Sequence, residues 1–161
     1  MEFNDGYSYE KSMGTWSALI GNHFIDWLKP RWGSRWLDVG CGNGAFSRLI
    51  TAKTCPGSVV GIDPSPEQVE FAKKRGLGSK TAFHVGDATS LHFSDDAFDV
   101  AVMALVIFFL ENPPKGLNEM VRVAKPGGIV ASYTWDVVNK GSPSSLISSH
   151  LSDMGYKPGS S

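Results

Sequence analysis

Three acidic residues stand where apolar runs end and small residues begin: Asp38 in LDVGCGNGA at 37–45, Asp63 in GIDPS at 61–65, and Asp87 in GDA at 86–88. Glycines let a backbone approach a ligand closely, and a helix starting just after such a turn presents free N–H groups. Gly40, Gly42 and Ala45 satisfy the G-x-G-x-x-G/A spacing of dinucleotide sites. Charge argues against that reading. Asp38 lies two residues before the first glycine, where a pyrophosphate would sit. Its carboxylate would repel an anion and attract an ammonium or sulfonium, by up to about 4 kcal/mol for a close, partly screened pair. A phosphate-binding GxxxxGK[ST] loop does not occur. The turn therefore suits a cationic ligand, the bland alternative being that Asp38 merely caps it. Asp63 follows Gly44 by nineteen residues, the spacing at which a strand-end acid reaches the hydroxyls of an adenosine ribose. Asp87 would accept from an adenine amino group, or belong to an ordinary polar turn.

These acids need strands to carry them. Apolar runs predict strands at Arg35–Val39, Val59–Ile62, Thr81–Val85, Phe98–Ala104 and Ile129–Trp135. Helices alternate with them. An amphipathic helix carrying Trp16, Leu19, Ile20, Phe24, Trp27 and Leu28 ends at Pro30, and a second bears Ala45, Phe46, Leu49 and Ile50 on one face. A third starts at Ser65 as cap, with Pro66 in the first turn and Gln68 completing a capping box. Leu117, Met120, Val121 and Ala124 give a fourth, stopped by Lys125-Pro126-Gly127-Gly128. The tail holds one more, Ser144–Met154, with Leu146, Ile147 and Leu151 as a modest apolar set. Strand–helix alternation predicts an α/β fold: a Rossmann-like, doubly wound, mostly parallel sheet with helices on both faces. Ligands of such sheets bind at the carboxyl ends of the strands, where the strand order reverses.

Composition fits one globular domain: 161 residues, 42% hydrophobic and 19% charged. Fifteen basic against sixteen acidic residues leave no basic excess for nucleic acid. Cys41 and Cys55 form no CxxC pair, and no His/Cys cluster has metal-binding spacing, so no metal is expected and a reducing, cytoplasmic setting is the simpler reading. The amino terminus is acidic and polar, unlike a signal peptide. The longest apolar run, Val100–Leu110, has eleven residues, short of the roughly 18 needed for a membrane span.

Five segments in fixed order carry a resemblance: YEKSMGTWS at 9–17, WLDVGCGNG at 36–44, VVGIDPSPEQVEFAK at 59–73, HVGDATSLHFSDDAFDVAV at 84–102, and EMVRVAKPGGIVASYTWD at 119–136. The chain resembles the class I S-adenosylmethionine-dependent methyltransferases of the UbiE/menaquinone-biosynthesis type. The resemblance implies one domain over 1–161, with an N-terminal helical cover at 1–34, a cofactor-binding core at 35–136 and a tail at 137–161. It implies S-adenosyl-L-methionine as cofactor and a small molecule as methyl acceptor. Asp38, Gly40, Cys41, Gly42, Asn43 and Gly44 would hold the methionine part. Asp63, Pro64 and Ser65 would hold the ribose, and Gly86, Asp87 and Ala88 the adenine. Met103 and Ala104 would line the cofactor near its reactive methyl, and the helix around Trp16 would cover it.

The resemblance also shows departures. Twenty-five residues follow Asp136, too few for the antiparallel hairpin that ends the family sheet after one further helix. The expected fold lacks that hairpin, and strand five becomes an open edge on which two copies could pair. Phe108 and Phe109 fall where relatives often carry histidine, while His23, His84, His92 and His150 suit structural or surface roles better than catalytic ones. No catalytic residue is nominated. Tyr7, Tyr9, Phe108, Phe109 and Trp135 would suit an apolar or planar acceptor if they line a pocket. Two other readings stay open: a homologue that binds the cofactor without a competent acceptor site, and, on the glycine spacing alone, an NAD-dependent oxidoreductase.

Overall fold

A computed structural model describes residues 6–136, 138–139 and 141–156, with side chains from residue 14 onward except those of 143, 144, 146 and 147. Five strands form one parallel sheet: β1 (Arg35–Val39), β2 (Ser58–Asp63), β3 (Thr81–Val85), β4 (Phe98–Ala104) and β5 (Ala124–Tyr133). Their order is β3-β2-β1-β4-β5. The chain thus runs outward from β1 to β3 and then returns to the other side of β1, which puts the reversal between the carboxyl ends of β1 and β4.

Five helices complete the chain: α1 (Gly6–Leu28), α2 (Ala45–Lys53), α3 (Pro66–Lys74), α4 (Pro113–Val123) and α5 (Pro143–Asp153). Both faces of the central strands are covered, so these strands read as continuous apolar runs. Trp36, Val59, Val100 and Val102 meet Phe24 and Ile25 of α1 and Phe46 and Ile50 of α2. Leu37, Val39, Ile62, Ala101 and Met103 pack on the opposite side with Met120 and Val123 of α4. Val69 and Ala72 of α3 pack with Phe83 and Cys41. Ser65 caps α3 by accepting from the Gln68 N–H at 3.3 Å, with Pro66 as the first helical residue, as the sequence predicts.

Three sequence expectations are corrected. In α1 the buried side carries Gly21, Phe24 and Ile25, while Trp16 is 50% and Trp27 70% exposed, with Leu19 and Ile20 also exposed. Gly21 sets this rotation: a Cβ there would lie 2.9 Å from Leu49 Cδ1, so the helices meet at the glycine. In α4 the packed residues are Gly116, Met120 and Val123; Val121 faces outward, and Ala124 already belongs to β5. β5 starts earlier than Ile129 because Ala124 pairs with Phe98, after which the register shifts and resumes at Ile129 opposite Val100. Residues 125–128 take up the shift. Lys125 reaches Asp99 at 2.5 Å, and Gly127 adopts a φ of 76°.

Among the described residues β5 pairs with β4 alone. The side chains of Tyr7, Tyr9, Leu146 and Ile147 lie outside the described set.

Candidate functional site

The glycine turn between β1 and α2 is held from three sides. Its base hangs from β2: the N–H groups of Gly40 and Cys41 both donate to the Ile62 carbonyl at 2.8 Å. Its middle is held by Asp63, whose Oδ2 accepts from the Gly42 N–H at 2.8 Å and whose Oδ1 accepts from the Ser65 N–H at 3.0 Å. Its far end is pinned where the Arg75 guanidinium donates to the Asn43 carbonyl. Asn43 turns its side chain inward, its Oδ1 accepting from the Ala45 N–H at 3.1 Å. Two glycines are needed for space as well as for positive φ. A Cβ on Gly40 (φ 73°) would lie 2.5 Å from Val106 Cγ1, and one on Gly44 (φ 78°) would lie 3.0 Å from Ala72 Cβ. Gly42 (φ 52°) differs, since its missing Cβ would meet nothing within 4 Å. That open side is where a ligand can approach the backbone.

Beneath the turn sits Asp38, 1% exposed. The Ser47 hydroxyl, in the first turn of α2, donates to its Oδ2 at 2.7 Å, while Oδ1 is buried with no hydrogen-bond partner. Burial pushes its carboxyl up to about 7; the Ser47 bond opposes this rise and the nearby Asp63 charge adds to it. A buried carboxylate lacking a partner for one oxygen favours the arrival of a cation. Asp63 is raised in the same direction by burial, against the two N–H groups it accepts from. Cys41 points its thiol into the α3 core; burial, with Asp38 and Asp63 nearby, raises its pKa, so the side chain stays a neutral packing group.

Beyond β3 the turn continues the same rim. The Gly86 N–H donates to the Asp63 carbonyl at 3.1 Å, so the second and third acids belong to one connected edge. Asp87 is exposed and accepts from the Thr89 N–H at 2.7 Å, which holds its pKa below the usual carboxylate range. Ala88 is half-buried. Beside this turn, residues including Ile62, His84, Gly86, Asp87, Leu91 and His92 line a cleft of about 340 Å³. Pro64 is exposed and Ser65 half-buried at the head of α3.

β4 ends with Met103 and Ala104. Met103 is fully buried and packs with Leu37, Met120 and their neighbours. Ala104 is half-buried on the α2 side. The next residue matters more. Leu105 takes a φ of 61° and donates its N–H to the Tyr133 carbonyl at 2.9 Å, a left-handed conformation costing about 1–2 kcal/mol for a non-glycine residue. This bend drives Val106 against Gly40. Strain of this kind is held in place at working sites. Sequence reasoning missed Ser47, Leu105, Val106 and Arg75 because their roles arise from contacts between elements that form only once the chain is folded. The serine alone left a trace, as a polar residue among the apolar positions of α2.

All four histidines are exposed, and no cluster of His, Cys, Asp and Glu among the described residues could hold a metal ion. No described helix is long and apolar enough to cross a membrane.

With this geometry in view, residues 37–132 match the family described as "Methyltransferase domain". The chain belongs to this methyltransferase family. It is 40% identical over 108 residues to the demethylmenaquinone methyltransferase of Bacteroides fragilis, covering 65% of this chain and 44% of that protein. It is 30% identical over 158 residues to phosphoethanolamine N-methyltransferase 1 of Zea mays, covering 96% of this chain and 30% of that protein. Among solved structures, the putative methyltransferase in complex with the Haloferax volcanii Trm112 activator superposes with a TM-score of 0.75 at 25% identity, over 91% of this chain and 64% of that one. The methyltransferase-family chain thus spans under half the length of these curated relatives. Its fold is the Rossmann-like methyltransferase fold, and the family assignment sets the NAD-dependent reading aside.

The family's cofactor is S-adenosylmethionine, and the residues present fit it. The orphaned, buried Oδ1 of Asp38 lies behind an open glycine turn, as a cationic amino acid end requires. Asp63 keeps lone pairs on both oxygens beyond the two N–H groups it accepts from. Each can accept a ribose hydroxyl.

Proposed function

We propose that this chain binds S-adenosylmethionine across the carboxyl ends of β1, β2 and β3 and transfers its methyl group to a small-molecule acceptor. One observation carries the reading: a buried carboxylate with an unpartnered oxygen beneath a glycine turn that Asp63 ties to the neighbouring strand. In this reading Asp38 offsets the cationic end of the cofactor, with Ser47 orienting the carboxylate. The open face of Gly42 lets the cofactor lie on the backbone. Asp63 accepts from the ribose, while Asp87 and the Ala88 backbone meet the adenine, with Pro64 and Ser65 flanking the ribose at the head of α3.

A sulfonium methyl is already activated, so the cofactor supplies the electrophile, and the protein's part is to align an acceptor about 3–3.5 Å away and exclude water. No residue is assigned as a general base, so the acceptor would need to be nucleophilic by itself. Relatives named for demethylmenaquinone and for phosphoethanolamine differ widely in acceptor chemistry. Family membership therefore leaves the acceptor open.

Free Cys41 and Cys55 fit a reducing, cytoplasmic setting. The outer edge of β5 would support pairing of two copies, a finer expectation that sedimentation at several concentrations tests.

The test uses methyl-labelled S-adenosylmethionine and calorimetry. The chain should bind the cofactor, the Asp63→Ala variant much more weakly, and label should pass to an acceptor from a panel of quinols, amines and phenols. A cooperatively folded chain that fails to bind refutes the proposal. Binding with no transfer to any acceptor would instead favour a binding-only homologue.

A further inference from the structure

Between β3 and β4 the chain passes from strand to strand without a helix, residues 86–97 holding only turns and one bridge, Asp87 to Ser90. Such connections are ordinarily more mobile than the elements they join. This one is tied down from α4. The Glu119 carboxylate accepts from the Leu91 N–H at 2.7 Å, and the Arg122 guanidinium donates to the Leu91 and Phe93 carbonyls, each at 2.8 Å. Both backbone groups of Leu91 are thereby held, and its side chain is buried in the core with Met120. The same guanidinium bonds to both oxygens of Glu119 at 2.7 and 2.9 Å and to Asp95 at 2.7 Å. A planar fork of five N–H groups can serve all these acceptors at once, whereas a lysine ammonium cannot. Leu91 directly follows Ser90, whose N–H donates to the Asp87 carbonyl at 3.1 Å, while the Asp87 carboxylate is oriented by the Thr89 N–H. Asp87 and residues 91–93 line the same cleft.

Resting on the cofactor reading above, we infer that Arg122 and Glu119 are positioning residues for base selection, holding the 87–93 turn so that the Asp87 carboxylate meets the amino group of an adenine and disfavours a base with a carbonyl there. An amino group donates to a carboxylate, whereas a carbonyl oxygen in its place only accepts and meets the carboxylate oxygen to oxygen. Such a preference is as sharp as the placement of the acid, because a hydrogen bond weakens steeply once its distance and angle slip. Loosening the turn blunts the preference and leaves the glycine turn in place, since that turn is held by Ile62, Asp63 and Arg75 and not by α4.

The test is calorimetric titration of the full chain with S-adenosylhomocysteine and with S-inosylhomocysteine, which carries a carbonyl in place of the amino group of the base. The parent should prefer the adenosyl compound by about tenfold, the worth of one hydrogen bond to a charged acceptor, and Asp87→Asn should level the two. In Arg122→Lys the preference should fall to about threefold or less, because the charge stays while the fork that holds Leu91 and Phe93 is lost. A smaller folded fraction lowers both apparent affinities by the same factor, so the ratio reports the placement of Asp87 and not the stability of the fold. Glu119→Gln, which uncharges the partner of Arg122, should lower the ratio in the same direction and decides the matter where the lysine variant does not fold. A preference kept in full by Arg122→Lys, or by Glu119→Gln in that event, overturns the inference and leaves the cofactor reading standing. A parent that binds neither compound overturns the cofactor reading and the inference with it. A parent that binds both equally, or a preference that survives Asp87→Asn, removes Asp87 as the group that reads the base and so overturns the inference as well.

Discussion

Replacing Asp38 by asparagine should make the free protein more stable at alkaline pH while weakening its hold on the cofactor. Asp38 has a folded-state pKa raised from 3.8 to about 7, with burial as the main cause. The folded chain therefore holds a proton that the unfolded chain releases. The stability linked to that proton is fully present below about pH 4 and is lost as pH rises through about 7. At 1.36 kcal/mol per pKa unit, the loss is on the order of 2 kcal/mol at pH 5 and 4 kcal/mol at pH 8. Asparagine keeps the shape and can still accept from Ser47, but it does not titrate. Its stability relative to the parent should therefore improve by roughly 2–3 kcal/mol between pH 5 and pH 8, whatever fixed cost the amide carries. Urea unfolding of both chains at the two pH values measures this double difference, in which other titrating groups largely cancel. A difference that stays flat, or that shrinks with rising pH, would refute the assignment of Asp38 as a strained buried acid.

Further expectations follow from particular contacts. Gly40→Ala forces a side chain into Val106 and a left-handed backbone on alanine, and should cost roughly 2–5 kcal/mol in denaturant unfolding. Gly42→Ala meets nothing within 4 Å, so it should cost only about 1–2 kcal/mol of backbone strain, yet it should impair S-adenosylmethionine binding in calorimetry. Ser47→Ala removes the donor to Asp38 and should move the carboxyl's titration, followed by NMR, still higher. Glu119, which accepts from the Leu91 N–H at 2.7 Å and pairs with Arg122, is held down to about 2 by that arginine. Its contribution to stability is present above about pH 4.5 and lost as pH falls toward 2, so Glu119→Gln should flatten acid unfolding over that window.

Much of the fold was legible because its signals are local. Apolar runs mark β1, β3 and β4 with the bounds the structure has, and β2 within one residue at each end, with Gly-x-Gly, Asp-Pro and Gly-Asp turns closing β1, β2 and β3. The Ser65 cap was equally plain. What failed was the choice of face and the detail of pairing. Helical spacing in α1 allows two apolar stripes, and the buried one is decided by Gly21 meeting Leu49 and Phe46, a contact no periodicity reports. The early start of β5 depends on Ala124 pairing with Phe98 across a register shift. In the site, the acids and glycines announce themselves by type and position. The partners that tune them do not: Ser47 under Asp38, Val106 over Gly40 and the bend at Leu105 exist only once β1, β4 and α2 are assembled.

In the proposed function, Asp38 beneath the glycine turn provides the counter-charge for a cationic cofactor. Calorimetric titration with S-adenosylmethionine at pH 6, in two buffers of different ionisation enthalpy, tests it most directly. At that pH the Asp38 carboxyl, with its pKa of about 7, is mostly protonated, whereas the cofactor's amino group is already charged. Binding should release close to one proton, and Asp38→Asn should bind more weakly and release none. Binding by the parent with no proton release, or no binding by a folded parent, would contradict the account.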